Sequence, residues 1–363
     1  MVRPLYRDSG MPETRPASGD AGLWYDKYCN QWDDQWHLAP ERKRAWLAQV
    51  TGNKVGDPAL LASCVERLAD LVTLSQGRLM FLRTRERFVT GLGRAHPLEN
   101  GFAWHPLLGV PYLPGSSLKG LVRTWAGCWA GADTSRLFGP RGTDDKAVGG
   151  IVFFDALPTA PVRLEAEVMT PHYPGYYQGN QPPGDWYSPV PVPFLTVAAG
   201  QTFVFAVAPR RPGPDAAEET DTAAGWLTEA LANLGAGAKT AAGYGLFLPD
   251  EKALNNWRSH REEDRRRREE SKKEHELREV LLGYSPIRRE MEQDGYSLAQ
   301  TDGFMNALTG KWLARMEASP PEEGREIAGL LAAWYQEREP EKWRKPNKKN
   351  QEKIARIRKV LGH

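Results

Sequence analysis

Three cysteines in 363 residues, Cys29, Cys64 and Cys128, are too few and too scattered for a disulfide framework or a CxxC metal site. No apolar run approaches the ~18 residues of a membrane span, and the opening MVRPLYRDSGMPETRPASGD holds no apolar export segment. The chain therefore reads as soluble, unexported and cytoplasmic. An excess of one charge is also missing: 48 Lys and Arg face 46 Asp and Glu, a net +2. That balance excludes a protein basic all over, but it leaves room for local basic patches. What is plentiful is 35 Gly, 28 Pro and 13 Trp. Tryptophan at this density marks large aromatic packing faces or surfaces that meet a partner.

The length suits two or three domains at roughly 100 to 200 residues each. Residues 1–20 are polar with Pro and Gly and read as a disordered or loose tail. Residues 21–77 form an N-terminal helical segment, with one helix from Pro40 to Val50 and another after Pro58 carrying Leu60, Leu61, Cys64, Val65, Leu68, Leu71 and Val72. At Arg78 the period changes from helix to strand, and Arg83, Arg85 and Arg87, two apart, predict a basic stripe on one strand face. In PGSSLKGLVRTWAGCWA, Ser116 or Ser117 is the expected helix cap, Leu118, Leu121, Val122, Trp125 and Trp129 the apolar stripe, and Lys119 and Arg123 a flanking pair. Short strands follow at GGIVFFDALP and QTFVFAVA, then a helix through Trp226 and Leu234, then a last strand in GYGLFLP. Strand, helix, strand, strand, helix, strand is the ferredoxin-like, RRM-like order. It predicts an α+β core at 78–250, an antiparallel sheet with helices on one face and the other face open to a ligand.

Three stretches of this core carry candidate chemistry. LGAGAKTAAGYG has Asn233 and Ala238 where a phosphate-binding GxxxxGK[ST] loop needs glycine, and it lies between helix and strand in the wrong order for an NTPase. Gly235, Gly237, Gly243 and Gly245 could still bring backbone N–H groups close to a phosphodiester, with Lys239 adding charge; a tight turn packing helix on strand is the plainer alternative. His96, His105 and the remote His172 could serve a metal or act as acid and base, or could simply shape their loops. The insert 158–193 packs Tyr173, Tyr176, Tyr177, Trp186 and Tyr187 among prolines, which predicts irregular structure whose rings meet bases, its own core or a neighbouring subunit.

From 251 the chain changes character. NNWRSHREEDRRRREESKKEHELREV predicts a solvated single helix with pairs such as Glu262 and Arg266 four apart, and Phe304 to Trp312 and Ile327 to Trp334 predict two further amphipathic helices. Residues 338–359 hold ten Lys or Arg against three Glu, a net +7.

In order and spacing, LWYDKY, GLGRAHPLENGFAWHPLLGVPYLPGSSLKG, MTPHYPGYYQ with PPGDW, PFLTVAAG and LGAGAKTAAGYG resemble the sixth-subunit family of the Cmr complex, the type III-B CRISPR RNA-targeting effector. The resemblance spans about residues 22–248. It implies the RAMP superfamily, an RRM-like fold with a glycine-rich loop before the last strand, and a non-catalytic backbone subunit near the 3′ end of the guide RNA. The partners it implies are guide RNA, target RNA and the other Cmr subunits, with no membrane, cofactor or metal. Carried over by motif, Arg94, Lys119, Arg123, Lys239, Thr240 and the loop residues Gly235, Gly237, Gly243, Tyr244 and Gly245 are expected at RNA phosphate. Arg83, Arg85, Arg87, Tyr173, Tyr176 and Tyr177 are further candidates. Two alternatives stand beside it: an endoribonuclease processing precursor RNA through His96, His105 or His172, and an adaptor that holds subunits without touching RNA.

Overall fold

A computed structural model describes residues 14–130, 134–140, 148–171, 173–179, 181–184 and 186–362. His172 and the first thirteen residues of the expected tail lie outside these. Residues 14–20 are tied down: Arg15 donates to the Gly19 carbonyl at 2.7 Å, and Asp20 caps the next helix by accepting from the Leu23 N–H at 2.7 Å. Two compact units divide the chain, one ending at Arg258 and the other beginning at Ser259.

In the first unit, helices α1 (Ala21–Lys27), α2 (Pro40–Thr51) and α3 (Pro58–Leu74) precede strand β1 (Arg78–Thr84). Both α2 and α3 start on proline, whose missing N–H costs nothing in a first turn. Asp57 completes α3 by accepting from the N–H groups of Ala59 and Leu60, both at 2.9 Å. Then come α4 (Gly115–Trp125), α5 (Ser135–Phe138), β2 (Ile151–Phe153), β3 (Leu157–Pro158), β4 (Leu164–Met169), α6 (Pro174–Tyr177), β5 (Val192–Val197), β6 (Thr202–Pro209), α7 (Ala216–Asn233) and β7 (Phe247–Pro249).

The main sheet runs β2-β6-β1-β7, every neighbour antiparallel, with β3 also pairing β6. Counting only the βαββαβ elements, that order is second, third, first, fourth: the ferredoxin-like topology the sequence predicts. Alternation along β1 and β6 sends Leu82, Phe203, Phe205 and Val207 to the face covered by Leu118 and Val122 of α4 and Leu227 and Leu231 of α7.

The opposite face is not open. Phe81, Leu157 and Val204 are buried there against Leu61 and Val65 of α3, Leu108, Val110 and Leu254. The run Phe203 to Ala208 is apolar at every position, as a strand buried on both sides requires, and that signal outweighs the general expectation of a free face.

Two local expectations also change. Ser116 and Ser117 are exposed and cap nothing; Pro114 occupies the cap position of α4, and the Gly115 N–H donates to the Asp155 carboxylate at 2.7 Å. The insert is largely ordered as a hairpin. β4 and β5 form a separate two-stranded sheet from Leu164 opposite Val197 to Met169 opposite Val192, with the short α6 near its tip. The period-two pattern Leu164, Ala166, Val168 against Glu165 and Glu167 carries this hairpin, and Pro193 is tolerated because, among the described residues, β4 is the one strand that pairs β5 at that position.

α8 (Glu251–Leu282) crosses the division between the units. Its first turns bury Leu254 and set Trp257 at 5.5 Å from Phe81, which carries the first unit past residue 250 to Arg258. Farther along α8, Glu262 pairs with Arg266 at 2.9 Å, while Arg265–Glu269 and Lys272–Glu276 stand at 3.6 and 3.9 Å. The second unit continues with α9 (Pro286–Gln293), α10 (Thr301–Ala307), a π-helical turn at Leu308–Trp312, α11 (Leu313–Ala318), α12 (Pro321–Arg338), α13 (Pro340–Arg344) and α14 (Lys348–Leu361). Phe304, Trp312, Trp334, Tyr335, Ile354 and Ile357 are buried at its own centre.

Candidate functional site

Past Thr84 the chain leaves the sheet ladder and becomes a seam. On one side Phe88 exchanges backbone hydrogen bonds with Val197 at 3.0 and 2.8 Å; on the other, the Gly245 and Ala238 N–H groups donate to the carbonyls of Arg87 and Val89, each at 2.8 Å. The seam thus stitches the glycine-rich loop to the hairpin strand β5. Gly235, Gly237, Gly243 and Gly245 all have positive φ (+74°, +93°, +89° and +79°), as does Lys239 at +59°. At three of the glycines the close approach is to the chain itself. A Cβ at Gly235 would stand 3.0 Å from two carbonyl oxygens, at Gly237 it would overlap the Val89 carbonyl, and at Gly245 the Ala236 carbonyl. Only Gly243 faces open space, so most of the glycine content serves the turn.

The turn nevertheless forms one wall of a cleft of about 550 Å³. Thr90–Arg94 form a second wall, and Leu113, Pro114, Ser117 and Leu121, around the start of α4, a third; Gly235, Ala236, Gly237, Ala238 and Thr240 close it. Among the described residues, the N–H groups of Gly91, Leu92, Gly93 and Gly237 have no protein acceptor. Several unpaired N–H groups lining one concavity make a surface suited to an anion. Arg94 is exposed at this cleft. Lys119 is half-buried on α4, where burial, then Arg123, then Arg210 lower its pKa, so it sits in a positive field. The repeat Gly91-x-Gly93-Arg94 is the sequence signal for this wall, and of its residues only Arg94 stands out as a candidate by side chain.

Other candidates are placed elsewhere or already have structural tasks. Arg123 donates to the carbonyls of Phe138 and Gly139 at 2.6 and 2.5 Å and lies over the Phe138 ring at 5.8 Å. Lys239 stands 5.4 Å from the centre of the Phe194 ring, and Tyr244 leans on the same ring at 6.3 Å; burial, then Glu167, raise the Tyr244 pKa. The arginine stripe does not lie on one strand face, because β1 ends at Thr84. Arg83 is exposed on the strand, Arg85 lies 3.9 Å from Glu86, and Arg87 is held by Glu165 at 2.8 Å and by Glu167. Tyr173 is half-buried, while Tyr176 and Tyr177 are exposed and meet edge to face at 5.5 Å; none of the three lines the cleft. His96 stacks on Tyr25 at 4.3 Å, and its Nε2 faces the Tyr25 carbonyl at 3.0 Å. The His105 Nδ1 accepts from the Leu107 N–H at 3.3 Å. Burial lowers both imidazole pKa values, and neither ring lines the cleft.

A ferredoxin-like sheet with a glycine-rich turn before its last strand is the arrangement on which the class rests: residues 81–247 match the family model described as the RAMP superfamily. The particular relatives are Cmr6 subunits. The CRISPR system Cmr subunit Cmr6 of Pyrococcus furiosus is 32% identical, over 46% of this chain and 66% of that protein. The Cmr6 subunit of Saccharolobus solfataricus is 29% identical, over 44% of this chain and 51% of that one. The chain thus spans about half to two thirds of these curated relatives' length. A chain in a cryo-EM structure of the type III-B Cmr-beta complex is 25% identical, covering 58% of this chain and 72% of its own length at a TM-score of 0.48. The family resemblance read from the motifs is therefore found by direct comparison as well. Among the described residues no helix is long and apolar enough to cross a membrane.

Proposed function

We propose that this chain is a non-catalytic backbone subunit of a type III-B CRISPR effector of the Cmr kind. In this reading it acts in the cytoplasm, grips guide RNA near its 3′ end, and supports the duplex with target RNA. One observation carries the reading: the cleft lined by Gly91, Leu92, Gly93, Gly237 and Arg94, whose first four residues have unpaired backbone N–H groups. Such a site suits the sugar-phosphate chain rather than base edges, so sequence would be read by base pairing and not by the protein. Arg94, Lys119, Thr240, Lys239 and the loop backbone take the phosphate contacts, and Arg123 supports the wall behind them. The stacked pair Trp125 and Trp129, with ring centres 4.9 Å apart and Trp129 58% exposed, is the aromatic surface offered to another Cmr subunit.

The test is the salt dependence of guide-RNA binding by the full chain with Arg94→Ala, Lys119→Ala and Lys239→Ala. Each lost phosphate contact lowers the slope of log affinity against log salt by about 0.7 and weakens all sequences alike. Unchanged affinity and slope in all three variants would refute the assignment. A discrete RNA product in EDTA, abolished by a His96 or His105 substitution, would replace it with the nuclease reading.

A further inference from the structure

The net +7 of residues 338–359 belongs to the second unit, and the first-unit cleft does not account for it. The fold neutralises only part of this charge. Arg338 pairs with Glu337 at 3.5 Å, Lys342 with Glu339 at 2.7 Å and Arg356 with Glu317 at 2.7 Å, while Arg358 lies over the Trp343 ring at 4.9 Å. Arg344, Lys345, Lys348, Lys349 and Lys359 are exposed and, among the described residues, make no ion pair.

α14 holds these charges on a rigid base. Asn347 caps it by accepting from the Asn350 N–H at 3.0 Å, Asn350 stands 3.3 Å from the Tyr335 hydroxyl, and Ile354 and Ile357 are buried in the unit's core. At about 100° per residue, Lys348, Lys349 and Lys359 fall within an arc of roughly 100° on the side of the helix away from those isoleucines; Arg356 lies in the same arc but is held by Glu317, and Lys353, at its edge toward Ile357, donates to Thr309 at 2.7 Å. Glu352 is the one acid in that arc. From Lys348 to Lys359 the helix rises about 16 Å, long enough to follow several phosphates of a strand. The crowding is felt electrostatically: burial, then Lys349 and Lys342, lower the pKa of the half-buried Lys353.

We propose that the outer face of α14, with Lys345 beside its start, is a second nucleic-acid site that binds the phosphodiester chain of a single strand without reading bases. The chemistry favours nucleic acid over an acidic polypeptide. Protein interfaces place a buried apolar or aromatic centre among their charges and are poor in lysine, whereas the unpaired cations of this arc are lysines and the helix's apolar residues Ile354 and Ile357 point into the core. Lysine heads are compact, strongly hydrated charges suited to non-specific phosphate contact.

The experiment compares the full chain with a variant carrying Lys345→Gln, Lys348→Gln, Lys349→Gln and Lys359→Gln, using labelled mixed-sequence single strands of RNA and of DNA over a salt series. Losing two to four contacts lowers the salt slope by about 1.4 to 2.8. The lysine-to-arginine version of the same four positions restores it, and thermal unfolding of both variants matches the parent. A loss with RNA and DNA alike identifies the phosphate chain as the ligand, and a loss with RNA alone identifies RNA; either outcome supports the site. Unchanged slopes with both strands overturn it, as does a loss found only with labelled polyglutamate, run as a third probe over the same salt series. Arg94→Ala, which probes only the first unit, keeps failure of the cleft reading distinct from failure of this one.

Discussion

Replacing Gly237 by alanine separates the two roles of the glycine-rich turn. Gly237 has φ +93°, and an added Cβ would overlap the Val89 carbonyl oxygen and stand 2.8 Å from Phe88 Cε2. Neither neighbour can swing aside, since Phe88 is fully buried and Val89 is the acceptor for Ala238. A left-handed conformation costs a non-glycine residue about 1–2 kcal/mol. Prising the turn from Val89 to relieve the overlap breaks a buried backbone hydrogen bond, a further ~1–3 kcal/mol. Together Gly237→Ala should destabilise the first unit by about 2–5 kcal/mol, a drop of roughly 5–15 °C in melting temperature. Gly243→Ala is the matched control: its φ is +89° but nothing stands within 4 Å of the added methyl, so only the backbone cost of about 1–2 kcal/mol applies. Differential scanning calorimetry resolves the two units if they melt separately, and guide-RNA binding of the same samples reports on the cleft wall. The reasoning fails if Gly237→Ala melts with Gly243→Ala, because the turn would then be free to move away from Val89 at no cost.

Three substitutions test side chains that the sequence offered for RNA or for catalysis. Arg123→Ala removes two charge-assisted hydrogen bonds to the Phe138 and Gly139 carbonyls and should cost about 2–4 kcal/mol, while Lys119→Ala should change stability little and the RNA salt slope more; thermal melts alongside binding isotherms check the contrast. The folded-state pKa of His96 lies below its ordinary 6.5, chiefly because of burial, so the unfolded chain takes up the proton first and stability should fall as pH drops below about 6.5. Melting temperatures between pH 7 and pH 5 should fall less steeply in His96→Gln, with half-buried His105 supplying part of what remains and Asp26, whose pKa burial raises, acting in the opposite direction at lower pH.

The sequence was most legible where one local pattern had one physical solution. Pro40 and Pro58 mark helix starts because proline fits only a first turn, and the order of six elements is enough to specify an antiparallel sheet once crossovers must pack on it. It was least legible where one residue type serves two ends. Glycine at 235, 237 and 245 looks the same in sequence whether the close neighbour is a ligand or the chain's own carbonyl, and only the paired strands show that it is the carbonyl. Arginine at 123 and 87 is likewise a candidate for phosphate until the fold brings up the Phe138 carbonyl in one case and Glu165 in the other, from positions 15 and 78 residues away. The covered sheet face is legible in the residues and not in the general fold pattern: Phe81 and Val204 are as apolar as Leu82 and Phe203, and an unpartnered face carrying them would expose a contiguous apolar patch that α3, with Leu61 and Val65, covers. With that face closed, a ligand on this unit has to use the rim of the sheet. There the seam from Arg85 to Arg94, the start of α4 and the glycine-rich turn leave backbone N–H groups unpaired, so the cleft and the covered face are two consequences of the same packing.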